Sequence, residues 1–94
     1  MATTTIRITP AGVVPSAIVI RVGVTVIFIN EDSQPHAPAG GPDISRPDCP
    51  EVDIAGFLVP GQRGETAPFP VVKTCQFHDH MNHSPVFNGH IVIE

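Results

Sequence analysis

Val24-Thr25-Val26-Ile27-Phe28-Ile29-Asn30 decides the fold class. The stretch is rich in β-branched side chains, with Val26 and Phe28 in phase, and such residues suit a pleated, half-buried surface. Gly23 precedes it and the polar run Glu31-Asp32-Ser33-Gln34-Pro35-His36 follows, so it reads as one strand feeding a loop. The same pattern repeats to either side. Residues 4–8 read as a first strand ended by Pro10-Ala11-Gly12, and residues 16–22 as a second with Ile18, Ile20 and Val22 on one face. Val59-Pro60-Gly61-Gln62 reads as a turn. Residues 66–69 (weakened by Pro68 and Pro70), 71–77 and 90–93 supply the later strands. There is no convincing helix and no internal repeat. About seven short strands with turns between them predict an all-β protein, an antiparallel β-sandwich.

Composition narrows the function. A chain of 94 residues is one domain, 1–94, on the usual length prior. Five Lys and Arg against nine Asp and Glu leave a formal charge of −4, with no patch for gripping phosphates, so nucleic acid is excluded as a partner. Eleven Pro, about twice the average share, argue against a helical bundle. No apolar run is long enough for a membrane span. Met1-Ala2-Thr3-Thr4-Thr5 lacks the basic start and apolar stretch of a signal peptide, which leaves a cytoplasmic protein or a mature segment with an added Met. Residues 34–50 carry Pro35, Pro38, Gly40, Gly41, Pro42, Pro47 and Pro50 and read as a long irregular excursion, functional or disordered.

The candidate chemistry lies in the histidines. His78, His80 and His83 fall within six positions, and His36 stands just past the central strand. A loop after a central strand and a cluster before the last strand can meet at one end of a sandwich. Imidazole suits copper and also zinc. His90, in the last strand, reads as an ordinary surface residue. Cys49 and Cys75 read as a disulfide, as a metal ligand plus a spare, or as two buried thiols. No nucleophile–base pair or oxyanion-hole motif is legible, so the chain does not read as an enzyme.

The strand Val24–Asn30 leading to His36, then Val59-Pro60-Gly61, the His cluster, and Gly89-His90-Ile91-Val92-Ile93 together resemble the cupredoxin superfamily over nearly the whole chain. The resemblance implies a Greek-key β-sandwich binding copper at one end. The usual family pattern has a His after a central strand, then a Cys, a His and a Met before the last strand, a set tuned for electron transfer. Two assignments follow. One is a type 1 blue-copper electron carrier with His36, Cys75, His78 and Met81 as ligands. The other follows the register of aromatics. Phe69 lies ten residues before Asp79 but six before Cys75, and Phe77 stands two before Asp79 where Lys73 stands two before Cys75. Asp79 then occupies the family's Cys position, and Cys75, Phe77 and Asp79 share one face of the strand.

The second assignment resembles a branch ending in Tyr/Phe-His-Asp-His-hydrophobic-Asn-Pro, here Phe77-His78-Asp79-His80-Met81-Asn82-His83 with His83 in place of Pro. The branch also carries a segment like Asp48-Cys49-Pro50-Glu51-Val52-Asp53, and some members have His where this chain has Asp43 and Arg46. It implies a non-blue copper site drawn from His36, His78, His80 and His83, suited to copper holding, delivery or sensing. Asp79 becomes an oxygen ligand or an acceptor orienting an imidazole, and Met81 a soft ligand or core filler. Zinc is the second metal. The partners are a copper ion and a redox or copper-delivery protein. Cys75 is then free to pair with Cys49, pinning the excursion with about 3 kcal/mol. Such a bridge favours a periplasmic or extracellular location. A metal-free interaction domain is the remaining alternative.

Overall fold

The computed structural model describes residues 4–94; the start of the chain at Met1–Thr3, included in the signal-peptide reading, lies outside the described residues. Among the described residues, eight short strands form two sheets packed face to face. The first contains β1 (Thr5–Thr9), β2 (Gly12–Val14), β4 (Ile27–Asn30) and β6 (Arg63–Glu65), ordered β2-β1-β4-β6. The second contains β3 (Ala17–Ile20), β5 (Pro38–Gly40), β7 (Lys73–Asp79) and β8 (Gly89–Ile93), ordered β3-β8-β7-β5. The core forms where their inner faces meet: Ile6, Ile8 and Phe28 from one sheet, Ile18, Ile20, Cys75, Phe77, Ile91 and Ile93 from the other. Phe28 and Phe77 meet edge to face with centroids 5.3 Å apart.

The sandwich is not antiparallel throughout. β1 pairs with β4 in parallel, and β3 with β8. Between β1 and β4 the chain leaves for the other sheet through β3, and a parallel pair needs such a crossover. Alternation reports which face a residue occupies, never which way its neighbour runs. Residues 66–69 are not a strand; β4's ladder partner on the side away from β1 is β6, just before them. Pro68 and Pro70 remove donors, and Thr66 replaces ladder bonds locally. Its Oγ1 accepts the Val26 N–H at 2.9 Å and its own N–H donates to the Val26 carbonyl at 2.9 Å. Phe69 still reaches the core, whereas Val22 lies beyond β3 and is exposed.

The Pro/Gly excursion is ordered and strapped to the second sheet. Within it β5 is an edge strand on β7, a place that tolerates Pro38. A single helical turn, α1 (Pro50–Asp53), follows, and a 3-10 turn spans Pro85–Phe87; the sequence showed neither. Cys49 and Cys75 form a disulfide, both buried, with Cα atoms 5.8 Å apart. Asp53 Oδ1 accepts the Gly40 N–H at 2.7 Å, and the Lys73 ammonium lies 3.2 Å from the Glu51 carboxylate. Gly40 has to be glycine: a Cβ there would run into the carbonyl oxygens of Asp48 and Cys49.

Candidate metal centre

The site is organised by the end of β7. Cys75, Phe77 and Asp79 point inward and are buried, as the register of aromatics predicts. His78 points to the other face of the sheet.

On the inner side, His36 is 1% exposed. Its backbone exchanges hydrogen bonds with Leu58 at 3.0 and 2.7 Å. Asn30, at the end of β4, shapes the loop that leads from β4 to His36. Asn30 Nδ2 donates to the carbonyls of Gln34 and Leu58, and Asn30 Oδ1 accepts the Asp32 N–H at 2.9 Å. That turn brings Asp32 back onto the imidazole, with Nε2 2.7 Å from Asp32 Oδ2. On the other side, Nδ1 bonds directly to Asp79 Oδ2. Asp79 Oδ1 accepts the N–H groups of Ala37 and Met81 at 2.9 and 2.8 Å. Phe87 closes the end, its ring centroid 4.6 Å from that of His36. A ring with a carboxylate at each nitrogen has both of its nitrogens engaged within the protein. The Asp32 carboxyl is held below its ordinary value, foremost by the hydrogen bond from His36.

On the outer side, His78 is also buried, 3% exposed, but differently used. Its Nδ1 donates to the Gly41 carbonyl at 2.9 Å, and its Nε2 has no hydrogen-bond partner. An imidazole that donates from one nitrogen to a backbone carbonyl presents the other as a free lone pair, the arrangement of a metal-ligating histidine. His78 and His83 line a cavity of about 100 Å³ with Pro42, Asp43, Ile44 and Asn88. His80 stacks on His78 with centroids 4.7 Å apart. The Asp43 carboxylate is engaged by Arg46 at 2.6 Å and by Ser45 at 2.7 Å, and Arg46 holds it far below its ordinary value.

The four candidate histidines are therefore divided by the sheet. His78, His80 and His83 share one side; His36 is held on the other. Among the described residues, no three of them bring ligand atoms within 4.8 Å of one another. Cys49, Glu51 and Cys75 do cluster that closely, but both sulfurs are bonded to each other. The blue-copper assignment is overturned on the same ground, since Cys75 has no thiolate to offer. Met81 is half exposed, so it is not core filler. His90 is a surface residue. Sequence reasoning missed Asp32, four residues before His36, and Phe87, whose spacing has meaning only once the last loop is folded.

No family model matches the chain, and no curated protein matches it. Solved structures do. A purple cupredoxin from Nitrosopumilus maritimus superposes with a TM-score of 0.78 at 22% identity, over 97% of this chain and 99% of that one. Amicyanin from Paracoccus versutus gives 0.75 at 18%, over 98% and 81%. A Cu-containing nitrite reductase from Thermus scotoductus gives 0.74 at 21%, over 98% of this chain but 22% of that one. At these identities the likeness concerns architecture: the chain has the cupredoxin-like fold.

Proposed function

We propose that this protein is a non-catalytic copper-binding module of one domain, 1–94, which takes the ion through imidazole nitrogens on the outer face of β7. His78 is the anchoring ligand, and His83 and His80 complete the set. The carrying observation is the buried His78 Nε2, desolvated and without a partner while Nδ1 is fixed on Gly41. Leaving a buried polar atom unpaired costs free energy, and a metal ion removes that cost. Divalent copper stands above zinc in affinity for nitrogen ligands. Fold neighbours include a Cu-containing reductase and amicyanin in its Cu(I) form. His36 stays outside the set because both its nitrogens bond carboxylates.

An imidazole site open to solvent on one side suits holding, delivery or sensing of copper better than fast electron transfer. A copper-delivery or redox protein is the matching partner. The buried Cys49–Cys75 bridge favours an oxidising compartment, periplasmic or extracellular. No helix among the described residues is long and apolar enough to cross a membrane. The test is titration of metal-free protein with Cu(II), followed by calorimetry and electron paramagnetic resonance. One equivalent bound, nitrogen hyperfine structure, and loss of both in His78→Gln are expected. Absence of binding, with no copper-dependent rise in melting temperature, would establish a metal-free interaction domain instead. The same titration with Zn(II) ranks the two metals.

A further inference from the structure

The interior end of the sandwich does not fit a metal. The residue in the family's Cys position is Asp79, whose Oδ2 is bonded to His36 Nδ1 with nothing between them. The second imidazole nitrogen is held by Asp32, and Phe87 lies against the ring. The void beside Asp79, lined by Ile8, Val13, Phe28, Pro38, His78 and Phe87, measures about 10 Å³. That is no more than one water needs. A metal ion entering here would find both nitrogens of His36 already bonded, no thiolate and no space.

We propose that the Asp32–His36–Asp79 triad stands in for the interior metal of this fold. It performs the joining role a metal would have, from the chain's own charges. His36 comes from the loop after β4 in the first sheet and Asp79 from β7 in the second, so their bond ties the two sheets at one end. Asp79 Oδ1 adds the backbone of both flanking loops through the Ala37 and Met81 N–H groups. Each part has a counterpart in a ligand set: an anionic centre, an imidazole turned onto it, and backbone donors around it. The chain is thereby closed and folded without metal at this end, and Asp79 is the residue that keeps metal out. This inference does not depend on copper binding at the outer face.

The experiment has two arms. In the first, wild type, His36→Gln, Asp79→Asn and the double variant are melted in buffer containing a metal chelator. Each single change is expected to lower the melting temperature by roughly 12 °C or more, as for a broken buried pair in a domain of this size. The double variant is expected to lose clearly less than the sum of the singles. Additive losses, or none, would overturn the proposal. In the second arm, Asp79→Cys is titrated with Cu(II). A metal-sized position between His36 and residue 79 predicts an intense thiolate-to-copper band in the visible and a raised melting temperature. Both are expected to disappear on adding His36→Gln. If Asp79→Cys binds copper with no such band, residue 79 does not occupy a ligand position and the inference fails. This arm stands even if Asp79→Asn does not fold.

Discussion

His78 and Asp79 are chain neighbours on one strand, facing opposite sides of one sheet, and both are nearly inaccessible to solvent. Their treatment differs completely. Asp79 is saturated: one oxygen takes His36, the other takes two backbone N–H groups. His78 is half satisfied, with one nitrogen bonded and one left bare. A fully paired buried polar group contributes to fold stability and has nothing left to offer a ligand. A half-paired one is costly to the empty protein and valuable to whatever fills the gap. On the reading proposed above, the inner face is a structural device and the outer face a binding one.

The comparison breaks first at Asp79→Ala, where the largest effect is expected. The change leaves His36 buried with half its charge partners gone, a loss of about 3–5 kcal/mol. Urea unfolding measures it, while copper stoichiometry on the outer face should not change. Copper lost along with stability would show that the two faces are one site. Second comes the double variant Cys49→Ala/Cys75→Ala. Releasing a loop closed over 26 positions costs roughly 3 kcal/mol. It also frees the excursion carrying Gly41, the carbonyl that orients His78, so copper affinity should weaken although no ligand has been touched. Unchanged affinity would disconnect the strap from the site. Third, His78→Gln should cost at least tenfold in copper affinity, about 1.4 kcal/mol, with little effect on the urea midpoint. Copper affinity of the wild type should also decline as pH falls, because metal binding to imidazole competes with its proton. A flat profile by competitive titration would exclude a His-dominated site.

The sandwich was legible because its evidence is local. The β-branched run before Asn30 and the alternation through Cys75, Phe77 and Asp79 state which side chains turn inward, whatever surrounds them. The phase of Phe69 and Phe77 also separated Cys75 from the ligand position, and the disulfide agrees with it. The parallel pairings were not legible, since strand direction leaves no trace in periodicity. Nor was the division of the histidines. His36 looked like a loop residue free to turn toward the cluster. Its actual position follows from Asn30 curling the loop through Asp32, Gln34 and Leu58, and from Asp79, 43 positions away, lying across the gap. The one part of the outer site that sequence could not suggest is Gly41, because it contributes a carbonyl oxygen, which every residue has.

The smallest effect expected separates the two carboxylates of the inner face. Asp32 sits at the rim of the pair, and its carboxyl is kept below its ordinary value of 3.8, foremost by His36 and further by the Ser33 N–H. A carboxyl depressed in the folded state binds fewer protons there than in the unfolded chain. Its stabilisation is therefore complete above the unfolded value and declines as pH falls through the folded one. For Asp32→Asn, the stability gap from wild type should be steady at about pH 5–6 and narrow below about pH 4. Urea midpoints at closely spaced pH values measure it. Because Asp32 is the outer partner of a ring that also bonds Asp79, the variant should remain folded across that range. A gap that stayed constant down to about pH 3 would mean the Asp32 contact adds nothing that depends on its charge, and that Asp79 alone holds the imidazole.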